Sequence, residues 1–332
     1  MEAPKFWQPV GNLSSPTLID IARVCDVNIS TVSRALSDDK RVHSETKKRI
    51  QTTAKRLGYR PNLAARMLRA KKSQFFWFIA PDLGNPVDCD LVEAAALAAA
   101  DRGYDLMVSL HLGKQNVFDR IITAMHSALA GGAIVNRRDI EDLSVLHGLV
   151  SQGFPIVLVD VPIDSMDLPT VTTDHEKAVD ALVQACVDEG AKSFLVLFNP
   201  SLNLVDKRRH DATLVALNAR GIPFSTLAQF SPGEANHQLP SPLCLMESHQ
   251  TAIQDFLWLN PDTTKSREVL VGCFDQWIGS PHPALRVIVA EQDCTGIASR
   301  TVDNLIALIE GDPTANGSGE VSLPLLRVSS KI

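Results

Sequence analysis

Apolar positions follow two different periods along the chain. From Thr17 to Leu57 they recur three and four residues apart in short pieces: Leu18, Ile21, Ala22 and Cys25; then Ile29, Val32 and the Ala35-Leu36 pair; then Ile50, Ala54 and Leu57, with Thr46 and Thr53 on the same side. That spacing predicts three helices. Thr17 with Asp20 three residues on forms a capping box for the first, Asp26 ends it in a left-handed turn, Asn28 is a good N-cap for the second, and Gly58 stops the third. Two helices joined by about three residues make a helix-turn-helix. Beyond Ser73 the period changes to continuous apolar runs, "FFWFIAP", "YDLMVSL", "GGAIV", "PIVLVD", "SFLVLF", "LCLM", "EVLVGCFD" and "LRVIVA". Helical segments lie between most of them: Leu91 to Arg102, Val117 to Ala130, Glu176 to Glu189, His210 to Arg220 and Thr295 to Ile309. Continuous apolar strands alternating with helices predict parallel sheets covered on both faces, and the length of this part suits two sheets better than one. The expected class is an all-α helix-turn-helix head plus an α/β core of two doubly wound parallel-sheet subdomains.

Composition agrees with this division. At 332 residues the chain exceeds one ordinary domain, and 45% hydrophobic residues can fill more than one core. No apolar run approaches the roughly 20 residues of a membrane span, and "MEAPKFWQPV" has no signal-peptide apolar region, so the expectation is a cytoplasmic protein without membrane partners. Six scattered cysteines lack a CxxC pair and are expected to be reduced thiols; no metal site and no cofactor are expected. The net charge of -6 conceals a split: residues up to Ser73 carry a net +9 and the remainder -15. A basic head on an acidic body is the electrostatic footprint of a nucleic-acid module.

The second helix, "NISTVSRAL", has a narrow apolar seam and leaves Ser30, Thr31, Ser33 and Arg34 facing water or a ligand. Hydroxyl and amide side chains at a helix N-terminus suit phosphate oxygens, and an arginine can pair with guanine in a major groove. An ion pair of Arg34 with Asp38 or Asp39 is the alternative. G-x-S-x-G, P-loop, G-x-G-x-x-G and HExxH motifs do not occur, which leaves an enzyme without support.

Three motifs at fixed mutual spacing, "TLIDIA", "TVSR" and "GYRPNLAARMLR", resemble the DNA-binding head of the lactose-repressor/galactose-repressor (LacI/GalR) family of bacterial transcription regulators. Weaker matches run through the core at "APDLGNP", "RGYDLMV", "FPIVLVD", "VTTDHEKAV", "ALNARGI", "VLVGCFD" and "LPLLRVSS". The resemblance implies a core like that of periplasmic sugar-binding proteins, with an effector cleft between its subdomains. It divides the chain into a flexible extension (1–16), a helix-turn-helix domain (17–61), a hinge helix and linker (62–73) and a core (74–332). Within the core it implies an N-subdomain over about 74–162 and 291–320 and a C-subdomain over about 163–290 and 321–328.

Function is implied in the same way: a homodimeric, sequence-specific regulator, a repressor, that binds a palindromic double-stranded operator and answers to a small carbohydrate-like effector. Bound to DNA it would be nucleoid-associated. The DNA-contacting residues implied are Thr17, Asn28, Ile29, Ser30, Thr31, Ser33 and Arg34 in the head, and Tyr59, Asn62, Ala65 and Leu68 at the hinge. Leu68 is the apolar wedge for a minor-groove step, with burial against the core as the alternative. The effector residues implied are Val87, Asp88, Asp90, Asp174, Arg209, Ser248 and Asp275. Structural ion pairing is the alternative for Arg209 and Asp275, and capping of a helix beginning near Leu91 is the alternative for the two acids at 88 and 90. The chain departs from the family at His43, where a capping serine is common and Ser44 is expected to cap instead. It departs again at Val87 and Asp88, where the family places aromatic rings that stack on a sugar. A solute-binding protein without a regulatory role is the competing reading.

Overall fold

The computed structural model describes residues 16–59, 73, 75–127, 130–163, 165–198, 204–228, 241–247, 250–266, 268–275, 277, 285–312, 320–322 and 325–329. Two units separate along the chain, a head to Lys71 and a core from Lys72.

Among the described residues the head consists of α1 (Leu18–Cys25), α2 (Ile29–Leu36) and α3 (Ser44–Leu57). The Thr17/Asp20 capping box opens α1, and Asp26 closes it in the left-handed region at φ 47°. Ile21, Val32, Ala35 and Ile50 are fully buried and, with Cys25, Val42 and Ala54, form the head's core. With so few apolar side chains, each contributes a large share of the head's stability, roughly 1.5–3 kcal/mol apiece. Arg49 of α3 donates to the Cys25 carbonyl at 3.2 Å, placing a cation at the C-terminal end of α1. One expectation fails: Ser44 is the first helical residue rather than the cap. His43 occupies the N-cap of α3 and makes no side-chain cap hydrogen bond. Its imidazole replaces the short hydroxyl that capping requires.

The core holds β1 (Phe75–Ala80), α4 (Pro86–Asp101), β2 (Asp105–Leu110), α5 (Gln115–Ser127), β3 (Ala133–Val135), α6 (Ser144–Ser151), β4 (Ile156–Val159) and β5 (Thr170–Thr173). There follow α7 (His175–Asp188), β6 (Ser193–Leu197), α8 (Leu204–Ala219), β7 (Phe224–Leu227), β8 (Leu243–Glu247), α9 (Gln250–Leu259), α10 (Thr263–Ser266) and β9 (Val269–Phe274). The last elements are β10 (Leu285–Glu291), α11 (Cys294–Glu310), β11 (Glu320–Ser322) and β12 (Leu325–Ser329).

Among the described residues two six-stranded sheets result, ordered β11-β5-β4-β3-β1-β2 and β12-β10-β9-β8-β6-β7. Each is covered on both faces: α4 and α11 pack on one side of the first sheet and α5 and α6 on the other, while α7 and α8 oppose α9 on the second. The expected doubly wound class is therefore the observed one, with two refinements. β12 pairs antiparallel with β10, so the second sheet has one antiparallel edge. And β5 pairs in parallel with β4, so the chain stays in the first sheet to Thr173 and crosses there instead of near 162. The return falls after β11, at 322 instead of 320. The short run "TVTT" has too little apolar content to announce a buried strand.

In each sheet the spatial order reverses beside the first strand of its half, β1 in one and β6 in the other. Doubly wound sheets bind ligands outside the carboxyl ends of the strands at such a reversal.

Candidate nucleic-acid interface and core cleft

Helix α2 turns Val32 and Ala35 into the head's core. Asn28, Ser30 and Arg34 are exposed, Ile29 is 42% exposed, and Thr31 and Ser33 are half-buried. Asn28 occupies the N-cap position, yet its side chain makes no cap hydrogen bond. The two acids nearest Arg34 are engaged elsewhere. Arg41 grips Asp39 with bonds of 2.7, 3.0 and 3.1 Å, and Lys47 pairs with Asp38 at 2.7 Å. Arg41 holds the Asp39 carboxyl well below the usual range. Arg34 makes no ion pair among the described residues, so the alternative of a pair with Asp38 or Asp39 is not what the structure shows. Thr17 is committed to its cap, donating to Asp20 at 2.7 Å. That hydrogen bonding, backbone first, lowers the Asp20 pKa. Tyr59 is half-buried against the head's core. Asn62, Ala65 and Leu68 lie outside the described residues.

The core cleft is lined from both halves at the carboxyl ends of their strands. Of the expected effector residues, Val87, Asp88, Arg209 and Asp275 come together there. Asp90 is exposed on α4 and is not in the lining, and Asp174 caps α7, accepting from the Lys177 backbone at 3.1 Å and pairing with its ammonium at 2.7 Å. Ser248 lies outside the described residues.

Helix α4 begins five residues earlier than expected, with Asn85 accepting from the Val87 N–H at 3.1 Å and Pro86 in the first turn. The early start carries Asp88 inward. It is only 2% exposed and takes Arg138 at 2.5 Å and Asn136 at 3.4 Å, so it is not a solvated capping acid. Burial pushes the Asp88 carboxyl up to about 6, while the charge and hydrogen bond of Arg138 pull it down. In the other half Arg209 is 2% exposed. Its guanidinium meets Asp275 at 3.4 Å, donates to His175 Nδ1 at 3.3 Å and lies 4.2 Å from the centre of the Phe274 ring. Gln292 donates to Asp275 at 2.8 Å and accepts from Thr173 at 2.7 Å, linking the two halves at their base.

Sequence reasoning missed Arg138, Asp160 and Gln292 in the lining, as well as the Asp206 carboxylate. Asp160 carries a signal that only coordinates reveal. It follows β4 at φ 73°, as Asp275 follows β9 at φ 71°, and β4 and β9 hold corresponding places in their sheets. A left-handed aspartate costs roughly 1 kcal/mol or more and clusters at functional sites. Burial opposes ionisation of Asp160, but His175, Arg209 and Arg138 outweigh it and lower its pKa. Burial, with the charges of Asp275, Asp90, Asp293 and Asp160 added to it, pushes the Cys294 thiol up to about 12, which leaves it inert.

Head and core together define a class: a helix-turn-helix head on a two-sheet core of the periplasmic-binding kind. Residues 17–62 match the family described as "Bacterial regulatory proteins, lacI family". Catabolite control protein A of Priestia megaterium is 30% identical over 177 residues, 53% of either chain. The chain thus spans about half the length of the curated relatives it matches. Across the whole fold, a structure of the lac repressor dimer bound to operator and an anti-inducer superposes with a TM-score of 0.76 at 19% identity, covering 95% of this chain and 98% of that one. A periplasmic binding protein/LacI regulator from Alkaliphilus metalliredigens, complexed with D-xylulofuranose, gives 0.58 at 15% identity over 78% of this chain and all of that one. The head thus matches the lacI family of bacterial regulatory proteins, and the whole chain is similar in fold to the lac repressor. No helix among the described residues is long and apolar enough to cross a membrane.

Proposed function

We propose that the protein is a sequence-specific transcription regulator, a repressor, that grips a palindromic operator as a homodimer and releases or tightens it according to a small hydroxylated effector in the core cleft. The observation that carries this reading is α2: a helix whose seam holds it in the head while Asn28, Ile29, Ser30 and Arg34 stay exposed and the acids beside Arg34 are paired with other cations. Arg34 reads a base, and a bidentate arginine–guanine pair discriminates by about 1–3 kcal/mol at each half-site. The hydroxyls and Asn28 meet phosphates, which position the head without specifying sequence. Tyr59, Asn62 and Ala65 contact the backbone or groove at the hinge, and Leu68 wedges a minor-groove step.

A homodimer supplies the second head that a palindrome needs. Exposed apolar side chains support a self-association face on the first half of the core: Leu83, Leu97 of α4, Met107 and Val108 of β2, and Leu112. In the cleft, Asp160, Arg209 and Asp275 hold the effector, and closing or opening the halves around it shifts the spacing of the paired heads. This is a binding device, not an enzyme.

Gel-shift and fluorescence-anisotropy titrations against operator and random duplexes test it. Arg34→Ala erases most of the preference for operator while leaving salt-dependent non-specific binding, and Leu68→Ala weakens operator binding and reduces its bending. Unchanged behaviour in both variants rejects the reading of the head.

A further inference from the structure

We infer that the ligand of the core cleft is a hydroxylated amine, of the amino-sugar or amino-polyol class, carrying a positive charge at neutral pH. This rests on the effector reading of the cleft and narrows it. Among the described residues four carboxylates, Asp88, Asp160, Asp206 and Asp275, line the space against two guanidiniums, Arg138 and Arg209. Both guanidiniums are held by the protein's own acids. Arg138 has Asp88 at 2.5 Å, Asp82 at 3.7 Å and Asp139 at 3.9 Å, and Arg209 has Asp275 at 3.4 Å. A phosphate or carboxylate ligand would have to displace one of these acids and then sit among the rest. An ammonium lowers the local excess of negative charge instead.

His175 points independently to a hydroxyl on the ligand. The residue is 5% exposed. Its Nδ1 accepts from Arg209, which has no acceptor to offer in return, so a neutral imidazole carries its proton on Nε2. That Nε2 has no hydrogen-bond partner among the described residues and stands 3.8 Å from the Asp160 carboxylate. A buried donor facing an acceptor beside a cleft is matched by a group that accepts from one and donates to the other, as a hydroxyl does.

No aromatic face is offered for stacking among the described lining residues. Val87, Leu91 and Val205 supply the apolar contacts, and the Phe274 ring is covered by the Arg209 guanidinium. Charge and hydrogen bonds therefore carry the recognition of this ligand. Asp160 and Asp275, presented by left-handed backbone from the two halves, are the acids placed to share the ammonium and its neighbouring hydroxyls.

Calorimetric titration of the full chain at pH 7 with D-glucosamine, D-galactosamine and D-mannosamine tests this. Each is compared with its parent sugar, its N-acetyl form, which keeps the hydroxyls and loses the charge, and its parent 6-phosphate. At least one amine is expected to bind about tenfold tighter than its parent, with the N-acetyl form and the phosphate losing that gain. In Asp160→Asn and, separately, Asp206→Asn, the ratio of amine to parent affinity falls toward one, with each variant's fold checked by circular dichroism. Parent sugars or phosphates binding as well as the amines overturn the inference and leave the effector cleft standing. No heat from any of the twelve compounds (three parents in four forms), and no change in operator affinity on adding them, overturns the effector reading itself.

Discussion

The two halves of the core share a topology and differ in where each puts its charges. In both, the helix after the first strand points a buried ionisable side chain into the cleft, and an aspartate with left-handed backbone follows the fourth strand. In the first half that helix delivers an acid, Asp88, which is answered by Arg138 from the loop after β3. In the second half it delivers a base, Arg209, which is answered by the strand-end Asp275, together with one acid, Asp206. The fold thus decides which positions look into the cleft, and the sequence decides their sign. Opposite choices in the two halves give attraction across the cleft: burial raises the pKa of Asp160 of the first half, and His175 and Arg209 of the second outweigh it and lower it.

Removing one guanidinium from each half measures that asymmetry. Arg209→Ala is expected to have the largest effect. It strips the counter-charge from Asp275 and Asp160 and the donor from His175, and breaking a buried pair in this way costs about 3–5 kcal/mol. Urea melts of the full chain should show the loss in the core transition, and operator binding should no longer respond to effector. Arg138→Ala should cost less, on the order of 2 kcal/mol, because Asp88 already titrates near 6 and can take up a proton when its partner is gone. Equal losses in the two variants would mean that the halves are energetically alike.

A pH series separates Asp88 from Asp160. Asp88 is raised from an unfolded value of 3.8 to about 6, so the folded state binds more protons between these values. Its contribution, on the order of 3 kcal/mol, is present below about pH 4 and is lost as pH rises through 6. Asp160 is lowered, so its contribution is present above the ordinary carboxylate value and is lost as pH falls. Stability measured from about pH 2 to 7 should therefore lose a component that falls between about 4 and 6 in Asp88→Asn, and one that rises with pH up to about 4 in Asp160→Asn. Parallel profiles in the two variants would refute opposed shifts.

The same halves show what sequence can and cannot convey. Central strands were legible because a parallel strand buried on both faces must be apolar throughout, as "IVLV" and "VLVGCF" are. The edge strands "FSTL" and "EVS", like "TVTT", carry too few apolar residues to stand out. Helix α8 was read from His210 although it begins at Leu204, because its first turns bury Asp206 and Arg209 where a structural helix would bury leucines. Polar side chains serving the cleft thereby erase the periodicity that identifies the element. In the head the reverse holds: α2 needs a thin apolar seam, so its exposed polar face was itself the signal. Arg138 and Asp160 sit in loops after strands with no motif around them, and the structure alone shows that they turn inward. The alternative of structural pairing for Arg209 and Asp275 agrees with the 3.4 Å contact, and the same contact places both in the cleft lining.

Three separate segments carry the chain from one sheet to the other: after β5, after β10 and after β11. A single tether would let the halves tumble independently, and two would leave an axis of free swivel. Three anchor points along one side leave opening and shutting as the soft motion and resist twisting. Small displacements at the mouth must then travel as coordinated rotations of whole layers, which suits a body that has to report a molecule of a few ångströms to something much larger.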